Sequence, residues 1–172
     1  HYPLRRQRQM CIRDSSYSAV LNFRFKRGRK LWQTDVLASK EPLVLCIDCK
    51  HLRSRQAAAL RRAVELNARR ARDLAEELPR LKRRVATRTW RKAAVIPLIV
   101  TLKPAPWRTH EAMPIVAVNQ LRDFLDGIPA EASHFIGFNR SLMGTEAPLA
   151  EPLSGRETVA PKDHIETRGR LT

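Results

Sequence analysis

The stretch WQTDVLASKEPLVLCIDCK, residues 32–50, holds two apolar runs joined by a short polar break. Residues 43–50 (LVLCIDCK) read as a strand with the continuous apolar character of one covered on both faces. Read with period two, Val44, Cys46, Asp48 and Lys50 share one face, and Leu45, Ile47 and Cys49 share the other. A carboxylate and an ammonium at the end of such a strand are costly unless they are paired or functional. The run before it, residues 31–38 (LWQTDVLA), repeats the anomaly with Asp35, which alternation places on the face of Leu31, Gln33 and Leu37. Ser39-Lys40-Glu41-Pro42 is a tight break, so the two strands are expected to pair as a hairpin with Asp35 and Asp48 side by side.

Working outward, residues 17–25 (YSAVLNFRF) predict a first strand, and Lys26-Arg27-Gly28-Arg29 a turn. After Lys50 a long helix is expected, with Ser54 as N-cap. Its apolar stripe is Leu60, Val64, Ala68, Ala71, Leu74, Ala75 and Leu78, and Pro79 closes it. Arg55, Arg62 and Arg69 lie seven apart on another face. Residues 80–92 carry seven basic side chains and no acid. Residues 93–102 predict a fourth strand, in which Pro97 calls for a bulge or an edge. Residues 114–118 predict a fifth. Residues 119–125 predict a closing helix, capped by Asn119 and ended by Gly127. The order β-β-β-α-β-β-α argues for an α/β sandwich with a central mixed sheet.

The chain opens HYPLRRQRQMCIRDS, and residues 5–15 resemble the in-frame translation of a sequencing-library adapter. Segments of that kind are set aside before fold reasoning. On this reading residues 1–15 are an adapter-derived artefact, the gene enters near Ser16, and its true N-terminus is missing. The domain then covers residues 16–128. Residues 129–172 are expected to be a largely disordered tail, since from Asn139 on they hold no aromatic side chain and are rich in Pro, Gly, Thr and Glu.

The whole chain has 33 Lys+Arg against 17 Asp+Glu. Without residues 1–15, which hold four Arg and one Asp, the balance is 29 against 16, or +13. A charge this positive points to a polyanionic partner, most simply nucleic acid. Arg outnumbers Lys 25 to 8, a bias that a GC-rich genome also produces. CIDC has CxxC spacing, but alternation sends its two cysteines to opposite faces, and no second pair exists for a zinc knuckle. Two buried thiols fit a reducing cytoplasm. No run of about 20 apolar residues predicts a membrane span, and no signal peptide is visible.

Two adjacent carboxylates repel unless a cation sits between them. Oxygen-only ligation suits Mg²⁺ or Mn²⁺, with Asp35, Asp48 and the carbonyl of Cys49 as ligands. Such an ion would polarise a phosphoryl oxygen and help to generate hydroxide. Lys50 would orient the attacking water. An Asp on one strand followed by Asp-x-Lys on the next, here Asp35 and Asp48-Cys49-Lys50, resembles the PD-(D/E)xK nuclease superfamily. That superfamily includes type II restriction enzymes and Holliday-junction resolvases. The strands TDVLA and LCIDCKH also look like those of small archaeal nuclease-like proteins.

The resemblance spans residues 17–125. It implies a restriction-endonuclease-like α/β sandwich lacking its N-terminal helix, and a metal-dependent DNA endonuclease with catalytic Asp35, Asp48 and Lys50. DNA is the implied partner, with RNA left open, and a homodimer the implied assembly. Arg53, Lys82, Arg83, Arg84 and Arg88 are the candidate phosphate contacts, weighed against a merely solvated charged linker. Two departures stand out. Gln33 occupies a position that is often Glu, and no acidic helix precedes the first strand. The helix after the motif often offers a polar side chain to the site, for which Gln56 and Asn67 are candidates. The alternative function is a non-catalytic nucleic-acid-binding protein that keeps the fold.

Overall fold

The computed structural model describes residues 16–51 and 57–143. Three strands open the domain: β1 (Ser18–Arg27), β2 (Lys30–Lys40) and β3 (Leu43–Lys50), each antiparallel to the next. Arg27 pairs with Lys30 across a two-residue turn, and Gly28 supplies the positive φ of 56° at its first position. Hairpin loops of this length demand that conformation because it matches strand twist. Helix α1 (Ala57–Leu81) then crosses over, so that β4 (Lys92–Thr101) runs parallel to β3. A small hairpin, β5 (Thr109–His110) and β6 (Met113–Ala117), places β6 parallel to β4 on its other side. A 3-10 turn at Val118–Gln120 leads into α2 (Leu121–Glu131), and β7 (Phe138–Ser141) returns to β4. The seven strands form one mixed sheet in the order β1-β2-β3-β4-β6-β5, with β7 pairing β4 off this path.

The sheet is covered on both faces, which is why β3 reads as unbroken apolar sequence. Leu74, Ala75 and Leu78 of α1 pack on Leu37, Val44, Cys46 and Val95. Leu121, Leu125 and Ile128 of α2 pack on Val36, Leu45, Ile47 and Leu98. The α/β sandwich with a central mixed sheet is therefore present.

Several expectations change or sharpen. Pro97 occupies a local edge position within β4, a strand that is otherwise central. The flank of β4 away from β3 is shared by β7, against Lys92–Val95, and β6, against Ile99–Thr101. Pro97 falls in the gap between them and its missing donor goes unused. Pro79 lies inside the last turn of α1 and Gly127 lies within α2, so neither ends its helix where expected. Asn119 sits in the 3-10 turn, and Gln120, the residue at the helix start, makes no side-chain cap bond.

The boundary at residue 128 also moves. The described chain continues through β7, and Leu142 is buried in the α1-side core. Arg140 makes an ion pair of 2.9 Å with Glu76. This part of the chain is held by strand pairing with β4, which composition does not register. Residues 1–15 and 144–172, Arg53, Ser54, Arg55 and Gln56 lie outside the described residues. Among the described residues, no helix is long and apolar enough to cross a membrane.

Candidate functional site

Asp48 and Lys50 stand at the C-terminal end of β3, beside the C-terminal end of the parallel strand β4, where Lys50 pairs with Thr101. Carboxyl ends of parallel strands are where open α/β sheets bind ligands. Asp48 is buried, 6% exposed. Lys50, two residues on and so on the same face, places Nζ 2.8 Å from Asp48 Oδ2. The other carboxylate oxygen, Oδ1, is 3.2 Å from Nη1 of Arg70, which comes from α1. Burying a carboxylate this deeply is tolerable only with such partners.

Asp35 reaches the same place by a different route. The β2–β3 ladder runs from Lys40↔Leu43 to Val36↔Ile47, and Asp35 lies one step beyond its end. There its Oδ2 accepts the backbone N–H of Cys49 at 2.8 Å, between Asp48 and Lys50. The expected face of Asp35 needs correction. Gln33 and Leu31 are exposed, whereas Leu37 is buried on the α1 side. Thr34 touches Cys46 on the α1 side, while Val36 packs on the α2 side. Residues two apart on a regular strand share a face, so alternation slips at Asp35. Opposite Asp35 in the β1 register is Asn22, with φ 49°, and Phe23 and Leu21 around it likewise face opposite sides. Asn tolerates this left-handed conformation. The slip is what frees the Asp35 side chain to turn toward Cys49.

Arg70 is braced. Its Nη1 also donates to Asn67 Oδ1 at 2.9 Å. Asn67, wholly buried, donates through Nδ2 to the carbonyls of Cys46 at 3.0 Å and Leu98 at 3.2 Å. The helix thus contributes a polar pair, of which the sequence reading named Asn67 and missed Arg70. A signal was available. Leu60, Val64, Asn67, Ala71, Leu74 and Leu78 are spaced four, three, four, three and four apart, so Asn67 occupies a core position by spacing. Arg70 borders the same stripe.

The basic stretch does not join this centre. Lys92 opens β4, before its ladder with β3 starts at Leu43↔Ala94, and so lies at the opposite end of the strand from Thr101. Nine steps along the strand separate them, roughly 30 Å. Lys82, Arg83, Arg84 and Arg88 precede Lys92 at that far end. Lys82 donates to the Leu142 carbonyl, and Arg84 donates to the Arg24 carbonyl and covers the Phe23 ring at 4.7 Å. Arg83 and Arg88 are exposed. Trp32 and Trp90 are core residues. Trp107 is half-buried and stacks on His110, ring centroids 5.1 Å apart.

Cys46 packs on the α1 side and Cys49 against the α2-side core. Burial pushes the Cys46 thiol up to about 11. At pH 8 its thiolate fraction is then on the order of one in a thousand. Native protein treated with iodoacetamide at pH 8 is expected to label at the half-buried Cys49 and not at Cys46, with both labelling in urea. The folded state favours the protonated Cys46 thiol. Its contribution to stability is therefore intact below pH 9 and lost as the pH climbs toward 11. Equal native labelling of both cysteines, read by peptide mass, would contradict this burial.

The fold and site together define a mixed α/β sandwich with two carboxylates and a lysine gathered at the end of its central strands. No family model matches the chain, and no curated protein matches it. Among solved structures it is similar to protein VC1899 from Vibrio cholerae, with TM-score 0.34 and 13% identity, over 75% of this chain and 32% of that one. It is also similar to the small subunit, R.BspD6I2, of the heterodimeric restriction endonuclease R.BspD6I. There the TM-score is 0.34 and the identity 12%, over 78% of this chain and 73% of that one. The chain spans about a third of the length of VC1899. Likeness at this level carries nothing about activity.

Proposed function

We propose that this chain is a metal-dependent DNA endonuclease that hydrolyses phosphodiester bonds, with Asp35, Asp48 and Lys50 as its centre. One observation carries the reading. Asp35 leaves the strand alternation to reach the backbone between Asp48 and Lys50, so two carboxylates from neighbouring strands converge on one lysine-bearing corner. The donor set suits Mg²⁺ or Mn²⁺ in kind: two carboxylates and the Cys49 carbonyl, all oxygen, with water completing the shell. Among the described residues no group of three His, Cys, Asp or Glu side chains gathers; Mg²⁺ is commonly held by one or two carboxylates with water completing its shell. Its chemistry there would be to polarise a phosphoryl oxygen. The Lys50 ammonium, held 2.8 Å from Asp48, would stabilise charge developing on the phosphate and orient the attacking water.

The test is cleavage of plasmid DNA in Mg²⁺ and in EDTA. Cutting is expected in Mg²⁺ only, and Lys50→Ala and Asp35→Asn are expected to lower its rate by about 100-fold or more. Undiminished cutting by either variant would sink the proposal. A second reading is favoured by a specific observation. Both oxygens of Asp48 already face cations, Lys50 and Arg70, as suits a nucleic-acid-binding protein that keeps the fold without the chemistry. It predicts DNA binding that weakens with salt, needs no divalent ion and survives Asp35→Ala.

A further inference from the structure

Asp48 faces two cations of different mobility. Lys50 is on the open side, its side chain 37% exposed. The Arg70 side chain is 9% exposed and cannot follow a departing partner. Asn67, fixed by the Cys46 and Leu98 carbonyls, holds Nη1 of Arg70 at 2.9 Å while that nitrogen faces Asp48. The guanidinium centre also lies 5.9 Å from the Trp32 ring. Its Nε is buried and meets no hydrogen-bond acceptor among the described residues. A cation anchored to the helix, with a donor left unmatched, is thus set permanently against a carboxylate oxygen that metal ligation would use.

We propose that Arg70, anchored by Asn67, is the resident counter-cation of Asp48 and sets the affinity of the site for a divalent ion. Resting on the metal-centre reading above, this deepens it by naming what opposes metal entry. With no ion bound, Arg70 and Lys50 balance the buried carboxylate. A divalent ion at Asp48 meets the repulsion of a guanidinium that Asn67 does not let retreat, whereas Lys50 swings into solvent. Repulsion between full charges a few ångströms apart near a protein surface is large enough to move an affinity by an order of magnitude or more. Arg70 is a positioning residue, since it acts through Asp48.

The experiment is Mn²⁺ binding to the whole chain, followed by calorimetry and by the electron-spin resonance of free Mn²⁺. Arg70→Gln removes the charge and is expected to tighten Mn²⁺ binding roughly ten-fold or more. It is also expected to gain more in Tm from saturating Mn²⁺ than the wild type does. Arg70→Lys keeps a cation but loses the planar fork that Asn67 holds, so its affinity should fall between the two. Should Arg70→Gln not fold, Arg70→Lys decides alone, by binding Mn²⁺ more tightly than wild type. Wild-type or weaker affinity in the folded variants overturns the role of Arg70 and leaves the metal centre standing. No Mn²⁺ binding by any of the three proteins overturns the metal centre, and this inference with it.

Discussion

Asp48→Ala is expected to cost roughly 3–5 kcal/mol of unfolding free energy, the range for breaking a buried ion pair from one side. The loss is not that of a surface carboxylate. Removing Asp48 strands Arg70, which is 7% exposed and held in place by Asn67. The Lys50 side chain is 37% exposed and its removal leaves Asp48 paired with Arg70, so Lys50→Ala should cost less than about 1 kcal/mol. Removing both buried partners together, in Asp48→Ala with Arg70→Met, should recover much of the loss, because no uncompensated charge remains. Urea denaturation of the four proteins measures the series. If Asp48→Ala unfolds at the wild-type urea midpoint, the Asp48–Arg70 contact is not a buried pair. The result also bears on activity assays. A dead Asp48→Ala protein is ambiguous between lost chemistry and lost fold, which is why Lys50→Ala and Asp35→Asn are the variants for cleavage.

Asn67→Leu separates what spacing says from what the packed structure says. By spacing alone Asn67 is a polar fault in an apolar stripe, and leucine would repair it. In the fold, Asn67 donates to carbonyls on β3 and β4 and accepts from Arg70. Leucine would leave two buried carbonyls and the guanidinium without those partners. Each unmet buried group costs about 1–3 kcal/mol, against the smaller gain from a larger apolar side chain. The expected outcome is a net loss of about 3 kcal/mol by urea or thermal denaturation. A more stable Asn67→Leu protein would show that the brace contributes nothing.

How far the sequence was legible follows local physics. The first three strands, the long helix and β4 were readable because period two, period 3.6 and a continuous apolar run each imply a distinct kind of burial. β6 was readable too, as the strand expected over residues 114–118, but its hairpin partner β5 was not. The turn between them is Glu111-Ala112, both at positive φ (50° and 57°), where turn chemistry would call for Gly or Asn. β7 was equally hidden, since its four residues are held by the free flank of β4 and have no strong pattern of their own. Gly127 and Pro129 stop helices in general, yet here α2 runs through both. The buried Ile128 between them anchors that turn on the sheet.

The sequence by itself determined that Asp35, Asp48 and Lys50 belong together. Two carboxylates interrupting consecutive buried strands are too costly to be incidental, and strand pairing brings them near without reference to anything distant. Only the tertiary structure decided which helix cation stands against Asp48 and how far that corner lies from the basic stretch. Arg70 follows Asp48 by 22 residues, and its meeting with the carboxylate depends on how α1 lies across the sheet. Equally, the crossover that makes β4 parallel to β3 carries residues 82–88, the candidate phosphate contacts, to the opposite end of the strands from Asp35, Asp48 and Lys50. Periodicity reports which face a residue is on. It does not report which helix lies over that face or which end of the sheet a connection returns to.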